Sequence, residues 1–181
     1  GYDGIQVSAT DQLEIYENEI AHFGTRGAWG QNIGLIVGGR TTDTNIHDNY
    51  VHDGSGEIIE FHGSGENNSS HIIHNNLFVN SQSNGMGIYG LIDAATVNIT
   101  NNTIAGCQLF AVQVNGKYYE TFVKLNNNAF IECYQKDPSS INYIRIMNNG
   151  RVEGSGNKQF DTLINAKIDP QNYYQPLPGS S

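Results

Sequence analysis

The sequence predicts an all-β fold, a right-handed parallel β-helix of three-strand coils, about six of them. Three observations carry this. A six-residue pattern (apolar, two polar, Asn, any residue, apolar) recurs at Ile15–Ile20, Ile46–Val51, Ile73–Phe78, Ile99–Ile104 and Leu125–Phe130. Its asparagines, Asn18, Asn49, Asn76, Asn102 and Asn128, are separated by 31, 27, 26 and 26 residues. The flanking apolar residues are mostly β-branched or aromatic, which favours strands, and no helix-period apolar stripe runs through any unit. Two short strands meeting at an Asn imply a sharp bend, since Asn tolerates left-handed backbone angles. Stacked coil on coil, such amides can bond one another as an internal ladder.

Each coil also carries an earlier strand: Ile5–Ser8, Leu35–Gly38, Ile59–His62, Ile88–Leu91 and Val112–Asn115. Alternation turns the first and third residue of each inward and the second and fourth outward. The loops between strands are uneven. Residues 24–32 form the longest and hold the only Trp, Trp29; residues 63–70 and 116–120 form two more. Insertions in repeat proteins collect on the binding face. Beyond Cys133 the repeat blurs: residues 136–140 read as a turn, Tyr143–Ile146 as a strand, and the next bend falls at Asn149 or Asn157. Residues 1–160 are expected to form the coils and 161–181 a terminal wrap or tail of what reads as a piece of a longer chain. Gly1–Ile5 runs straight into a strand, so further coils, a processed precursor or a partner chain are expected over that end. Cys107 and Cys133 each follow a bend Asn by five residues, which stacks them ~4.8 Å apart as a buried thiol pair or an inter-coil disulfide.

The 181 residues suffice for one domain. A net charge of −9 and a pI of about 4.9 argue against nucleic acid and against an anionic membrane surface. No apolar run is long enough to insert in a bilayer. An anionic polysaccharide stays open as a partner, because Ca²⁺ could bridge carboxylates on both sides.

Outward residues of the early strands fall into columns. One reads Gln6, Ile36, Glu60, Tyr89, Gln113; beside it run Ser8, Gly38, His62, Leu91, Asn115, and then Thr10, Arg40, Ser64, Asp93, Lys117. This register gathers Glu60, His62, Tyr89, Arg40 and Asp93 as catalytic candidates, with Gln6, Gln113, Asn115 and Lys117 as substrate contacts on a long shallow groove. Arg26 and Trp29 in the longest loop would add a sugar-stacking platform or, equally, anchor that loop. A lyase acting on a uronate needs a base, His62 or Tyr89, and a cation on the carboxylate, Arg40 or Lys117. A hydrolase needs paired carboxyls, here Glu60 and Asp93. The plainer alternative is an ordinary polar surface. His47 and His74 occupy equivalent positions and should stack outside the bend as a solvated pair or, less simply, as metal ligands. Asp43, Asp48 and Asp53 crowd one coil without forming an EF-type loop; capping roles come first for them, and Ca²⁺ binding second.

The repeat resembles those of pectate lyases, polygalacturonases and alginate-active enzymes over roughly residues 4–160. The resemblance implies the fold and an active site on the early-strand face. Asp3-Gly4-Ile5 resembles part of the polygalacturonase motif, but the paired aspartates expected a coil later are replaced by Gly34-Leu35-Ile36-Val37. The tail Tyr173–Ser181 resembles segments that close bacterial secreted β-helix proteins, which implies a secreted or cell-surface location. A polysaccharide lyase of an acidic glycan is expected first and a hydrolase second. A non-catalytic carbohydrate-binding or adhesin β-helix is the competing class.

Overall fold

The computed structural model describes residues 3–24, 32–63, 69–91, 95–133, 143–169, 171 and 175–176. Among them there are strands and turns and no helix. Three rows of parallel strands wind into a parallel β-helix. The first row holds Ile5–Ser8, Leu35–Gly38, Ile59–His62 and Met86–Tyr89; the second holds Glu14–Tyr16, Asn45–His47, Ser70–His74 and Thr96–Thr100. Val112–Asn126 and Ile144–Glu153 each run through both rows without a break, joining them into one ten-stranded sheet. The third row, Glu19–Ala21, Tyr50–Gly54, Leu77–Ser81, Thr103–Ala105, Ala129–Ile131 and Lys158–Phe160, is a separate six-stranded sheet.

The asparagine ladder stands at the corner between the second and third rows. The main-chain N–H and the Nδ2 of Asn76 both donate to Asn102 Oδ1 at 2.9 Å, and Nδ2 also reaches the carbonyls of Ile46 and His74 at 2.9 Å. The same contacts recur at Asn18, Asn49, Asn102 and Asn128, and the last links to Asn157, which settles the sixth bend in favour of Asn157 over Asn149. The left-handed residue is not the ladder Asn itself, as expected, but the one before it: Glu17, Asp48, Asn75, Asn101, Asn127 and Gly156 all have φ between +54° and +72°. That residue makes the turn and leaves the Asn side chain free to point inward. A second series of left-handed residues, His22, Asp53, Asn80, Gly106 and Glu132, closes the corner four residues beyond each ladder Asn.

The core is a set of apolar columns: Leu35, Ile59, Met86 and Val112; Val37, Phe61, Ile88 and Val114; Ile46, Ile73, Ile99 and Leu125; Val51, Phe78, Ile104 and Phe130. Cys107 and Cys133 are buried in it as free thiols. The outer side of the third row is apolar as well. Val79, Ala105 and Ile131 are buried there under Leu163, Ala166 and Ile168, so the segment after Phe160 leaves the coil path and covers that sheet. One polar side chain interrupts the columns. His71 stands in register with Val97, wholly buried, edge-on to Phe61 at 5.1 Å, with Nδ1 bonded to Thr44 Oγ1 at 3.1 Å and Nε2 without a partner. Burial pushes its pKa down to about 4, so the ring is neutral at physiological pH.

Two predictions follow from the ladder and from His71. Asn76→Ala strands the N–H of Asn49 and the carbonyl of Ile46 in the interior, and should cost roughly 2–4 kcal/mol in urea unfolding. Asn157→Ala, at the end of the ladder and half-buried, should cost less than half of that. For His71 the unfolded chain takes up a proton near the ordinary pKa of 6.5 while the native state resists until about 4. Stability from this group is therefore complete above the unfolded value and is lost as pH falls across that window, by about 3 kcal/mol. His71→Phe should remove that component; equal pH slopes for variant and wild type between those limits would refute it.

Candidate functional site

The outward side of the first row carries the densest set of interacting polar side chains, but in a different register from the expected one. Glu60 pairs with Ile36 on one side and Gly87 on the other, and Gly87 pairs with Gln113. Tyr89 stands instead in the column of Ser8, Gly38, His62 and Asn115. The fourth strand is Met86–Tyr89 rather than Ile88–Leu91, and Leu91 is core. A slip of two residues preserves the alternation of inward and outward positions, so hydrophobic pattern alone could not detect it.

Gly87 opens a notch in the Glu60 column, and Glu57 fills it. A Cβ at position 87 would lie 2.1 Å from Glu57 Oε2 and 2.5 Å from the Tyr89 ring, so a larger residue would displace the Glu57 carboxyl and the Tyr89 ring. Glu57 Oε1 accepts from the Tyr89 hydroxyl at 2.5 Å and from Asn84 Nδ2 at 2.7 Å. The Tyr89 oxygen accepts in turn from Gln113 Nε2 at 3.2 Å, and Asn84 Oδ1 accepts the Phe110 N–H at 3.1 Å. Glu57 Oε2 is buried and has no partner. Glu60 is bonded to His62 Nδ1 at 3.0 Å. The exposures are 9% for Glu57 and 8% for Glu60, whereas the His62 side chain is 67% exposed.

This placement sets the acidities. Burial raises the Glu57 carboxyl to about 7, against the lowering effect of the Tyr89 and Asn84 hydrogen bonds, and the nearby charge of Glu60 raises it further. Glu60 is also raised, chiefly by burial and partly by Asp3, with His62 opposing. Burial together with Glu57 lifts the Tyr89 phenol well above its ordinary value. The chemistry available is therefore a carboxyl that gives and takes a proton near neutrality, next to a second carboxyl and a neutral phenol.

The other expected site residues lie elsewhere. Arg40, with φ of +60°, lines a depression of about 410 Å³ with Ala9, Thr10, Asp11 and Thr42, and none of the Glu57 group borders it. Gln6 is exposed on the first strand, level with Ile36. Asn115 Oδ1 accepts from Asn148 Nδ2 at 2.6 Å. Lys117 is exposed where the register of the long strand shifts between Gly116 and Thr121, beyond the first row. Asp93, Arg26 and Trp29 lie outside the described residues. His47 and His74 do stack, 4.9 Å apart at 7°, with Tyr16 on the other face of His47 at 5.2 Å. His47 bonds Asp48 and Glu14, at 2.7 and 3.2 Å, and its pKa is raised, first by the Asp48 hydrogen bond. Asp43 caps the Ser70 N–H, and Asp53 accepts from Asn80 while bonded to His52. These aspartates thus serve separate partners, and no group of three or more His, Cys, Asp or Glu suited to a metal ion occurs among the described residues.

Glu57 and Asn84 escaped the sequence reading because they sit in the corner before the strand, outside the alternating positions. Their spacing carried a signal: both lie eight residues after a ladder Asn. Comparison with family models, with curated proteins and with solved structures finds no match to this chain. The fold class rests on the chain's own topology, and a solenoid topology does not by itself identify a family.

Glu57 also marks stability. Its folded pKa of about 7 lies above its ordinary 4.5. The native state holds a proton that the unfolded chain releases, so this group's contribution is complete below the unfolded value and is lost as pH rises through the folded one. Glu57→Gln keeps the neutral form and should gain on wild type by about 3 kcal/mol across that window. Denaturant melts at the two limits check it; a constant difference between the two proteins would show that Glu57 is charged throughout.

Proposed function

We propose that this β-helix acts on a polysaccharide, and that the chemistry of its first face is glycoside hydrolysis by the pair Glu57 and Glu60. The observation that carries the reading is Glu57, titrating at about 7 beside Glu60 over the notch at Gly87. Glycoside hydrolysis needs one carboxyl protonated at working pH, to donate to the leaving oxygen, and a second to act as base or nucleophile. Glu57 takes the first role and Glu60 the second. Tyr89 and Gln113 orient the donor, and His62 holds Glu60.

This shifts the weight from a lyase to a hydrolase. Proton abstraction next to a uronate needs a basic group and a cation. Here the phenol is held protonated among carboxyls, Arg40 borders a different depression, and Glu60 with Asp3 makes an anionic field that repels an acidic glycan. A neutral glycan suits the face better. The competing reading is a non-catalytic carbohydrate-binding or adhesin module; the low exposure of both carboxyls favours it, since the Glu57–Asn84–Tyr89–Gln113 network then serves to tie coils together. Either role fits a secreted or cell-surface protein. Among the described residues, Ile5, Val7, Leu13 and Ile20 of the first coil are half-buried and the strands Ile5–Ser8, Glu14–Tyr16 and Glu19–Ala21 stand at sheet edges, which fits a partner chain docking there.

Reducing-end release from a panel of soluble neutral glycans tests the proposal. Wild type should cleave at least one, with Glu57→Gln and Glu60→Gln each lowering kcat by on the order of 100-fold or more. The rate should fall as pH rises past 7, where Glu57 loses its proton. Release of unsaturated, ultraviolet-absorbing ends from uronate glycans would restore the lyase, and silence in both assays would leave a binding module.

A further inference from the structure

The corner between the third and first rows holds a second cavity, of about 340 Å³, lined by Asp53, Gly54, Asn80, Ser81, Gln82, Gly106 and Gln108. We infer that this corner is a saccharide subsite that holds one ring of a neutral glycan beside the carboxyl pair. The inference deepens the hydrolase reading and rests on it for the identity of the ligand class. Four lines of geometry support it.

Apart from Asp53 the lining is uncharged and amide-rich. Gln82 and Gln108 are exposed and hold equivalent places in successive coils, their main-chain N–H groups bonded to Gly54 O at 3.1 Å and Ser81 O at 2.9 Å. Their main-chain positions therefore stand about 4.8 Å apart, and each side chain carries an amide with a donor and an acceptor. Vicinal sugar hydroxyls need that combination, whereas a phosphate or a cation needs one sign of charge.

A fixed acceptor lies beside them. Asp53 is clamped by His52 Nδ1 at 2.7 Å and by Asn80 Nδ2 at 2.9 Å, so its orientation is set before any ligand arrives. Space is kept open by glycine. At Gly106, with φ of +66°, a Cβ would come within 2.7 Å of Asn80 Oδ1. The cavity also borders, through Ser81, the chain segments that carry Glu57 and Asn84. The Ser81 hydroxyl lies 2.8 Å from the carbonyls of both Gly56, the residue before Glu57, and Asn84, the residue that holds Glu57.

The test uses affinity electrophoresis of the intact chain through gels containing soluble neutral glycans: a mixed-linkage β-glucan, an arabinoxylan and a galactomannan. The proteins are wild type, the double variant Gln82→Ala/Gln108→Ala and Glu57→Gln. Wild type and Glu57→Gln should be retarded by the same glycan, and the double variant should lose about tenfold or more in affinity while unfolding at the wild-type temperature, since both glutamines are surface residues. Retardation of the double variant equal to wild type, or no retardation of wild type by any of the three, overturns the subsite. Reducing-end release separates the two claims. Loss of binding in the double variant with no cleavage by wild type keeps the subsite and removes the hydrolase; cleavage by wild type that is unchanged in the double variant keeps the hydrolase and removes the subsite.

Discussion

Everything on the surface of this molecule depends on the amide ladder from Asn18 to Asn157. Each inner asparagine uses its side chain in both directions, accepting from the coil before it and donating to the coil after it. Those bonds are buried, so a coil that slipped by one residue would strand several polar groups at once. The ladder therefore fixes the rise and the register of every coil at one corner, and length differences are absorbed at the others. This is why coils of 31, 27, 26, 26 and 29 residues still stack. The Glu57 cluster exists only because of that register: its carboxyl, amide and phenol come from positions 57, 84 and 89, brought together with Gln113 across three successive coils.

The same regularity explains what was legible in the sequence. The ladder, the parallel strands and the inward columns follow from a six-residue pattern whose period and composition admit few alternatives. The surface was read less well. Tyr89 was placed beside Glu60 because Ile88-Tyr89 looks like Ile59-Glu60, and nothing in the alternation distinguishes that register from the true one, in which Met86 is level with Ile59. The deciding feature was Gly87, the one position where the column needed no side chain because Glu57 occupies the space from the neighbouring coil. Corner residues such as Glu57, Asn84 and Gln82 obey no alternation and are found only by counting from the ladder. Counting gives Glu57, Asn84 and Phe110 as equivalent positions, and these three are in fact joined by hydrogen bonds through Asn84.

Two buried titratable groups sit at opposite sides of the architecture, and both are held in their neutral forms. His71 is inside the core and resists protonation; Glu57 is under the first face and resists ionisation. Desolvation is the leading cause for each, since burial disfavours whichever form carries charge. Their effects on stability have opposite sign over nearly the same range, between about 4 and about 7. As pH falls across that range His71 weakens the fold and Glu57 strengthens it. The two contributions act in opposite directions over that range and partly offset each other.

The offset bears on how a raised carboxyl is tolerated at all. A buried acid beside a second acid, in a chain of net charge −9, is destabilising whenever it ionises. If the network served only to join coils, a glutamine at position 57 would do so without that cost, because both hydrogen bonds to the side chain reach a single oxygen, Oε1, which an amide also supplies. What glutamine cannot supply is an ionisable proton at Oε2, the buried oxygen that fills the notch at Gly87 and makes no bond. Joining the coils does not require an acid at that position, and the acid makes the stability of the first face depend on pH.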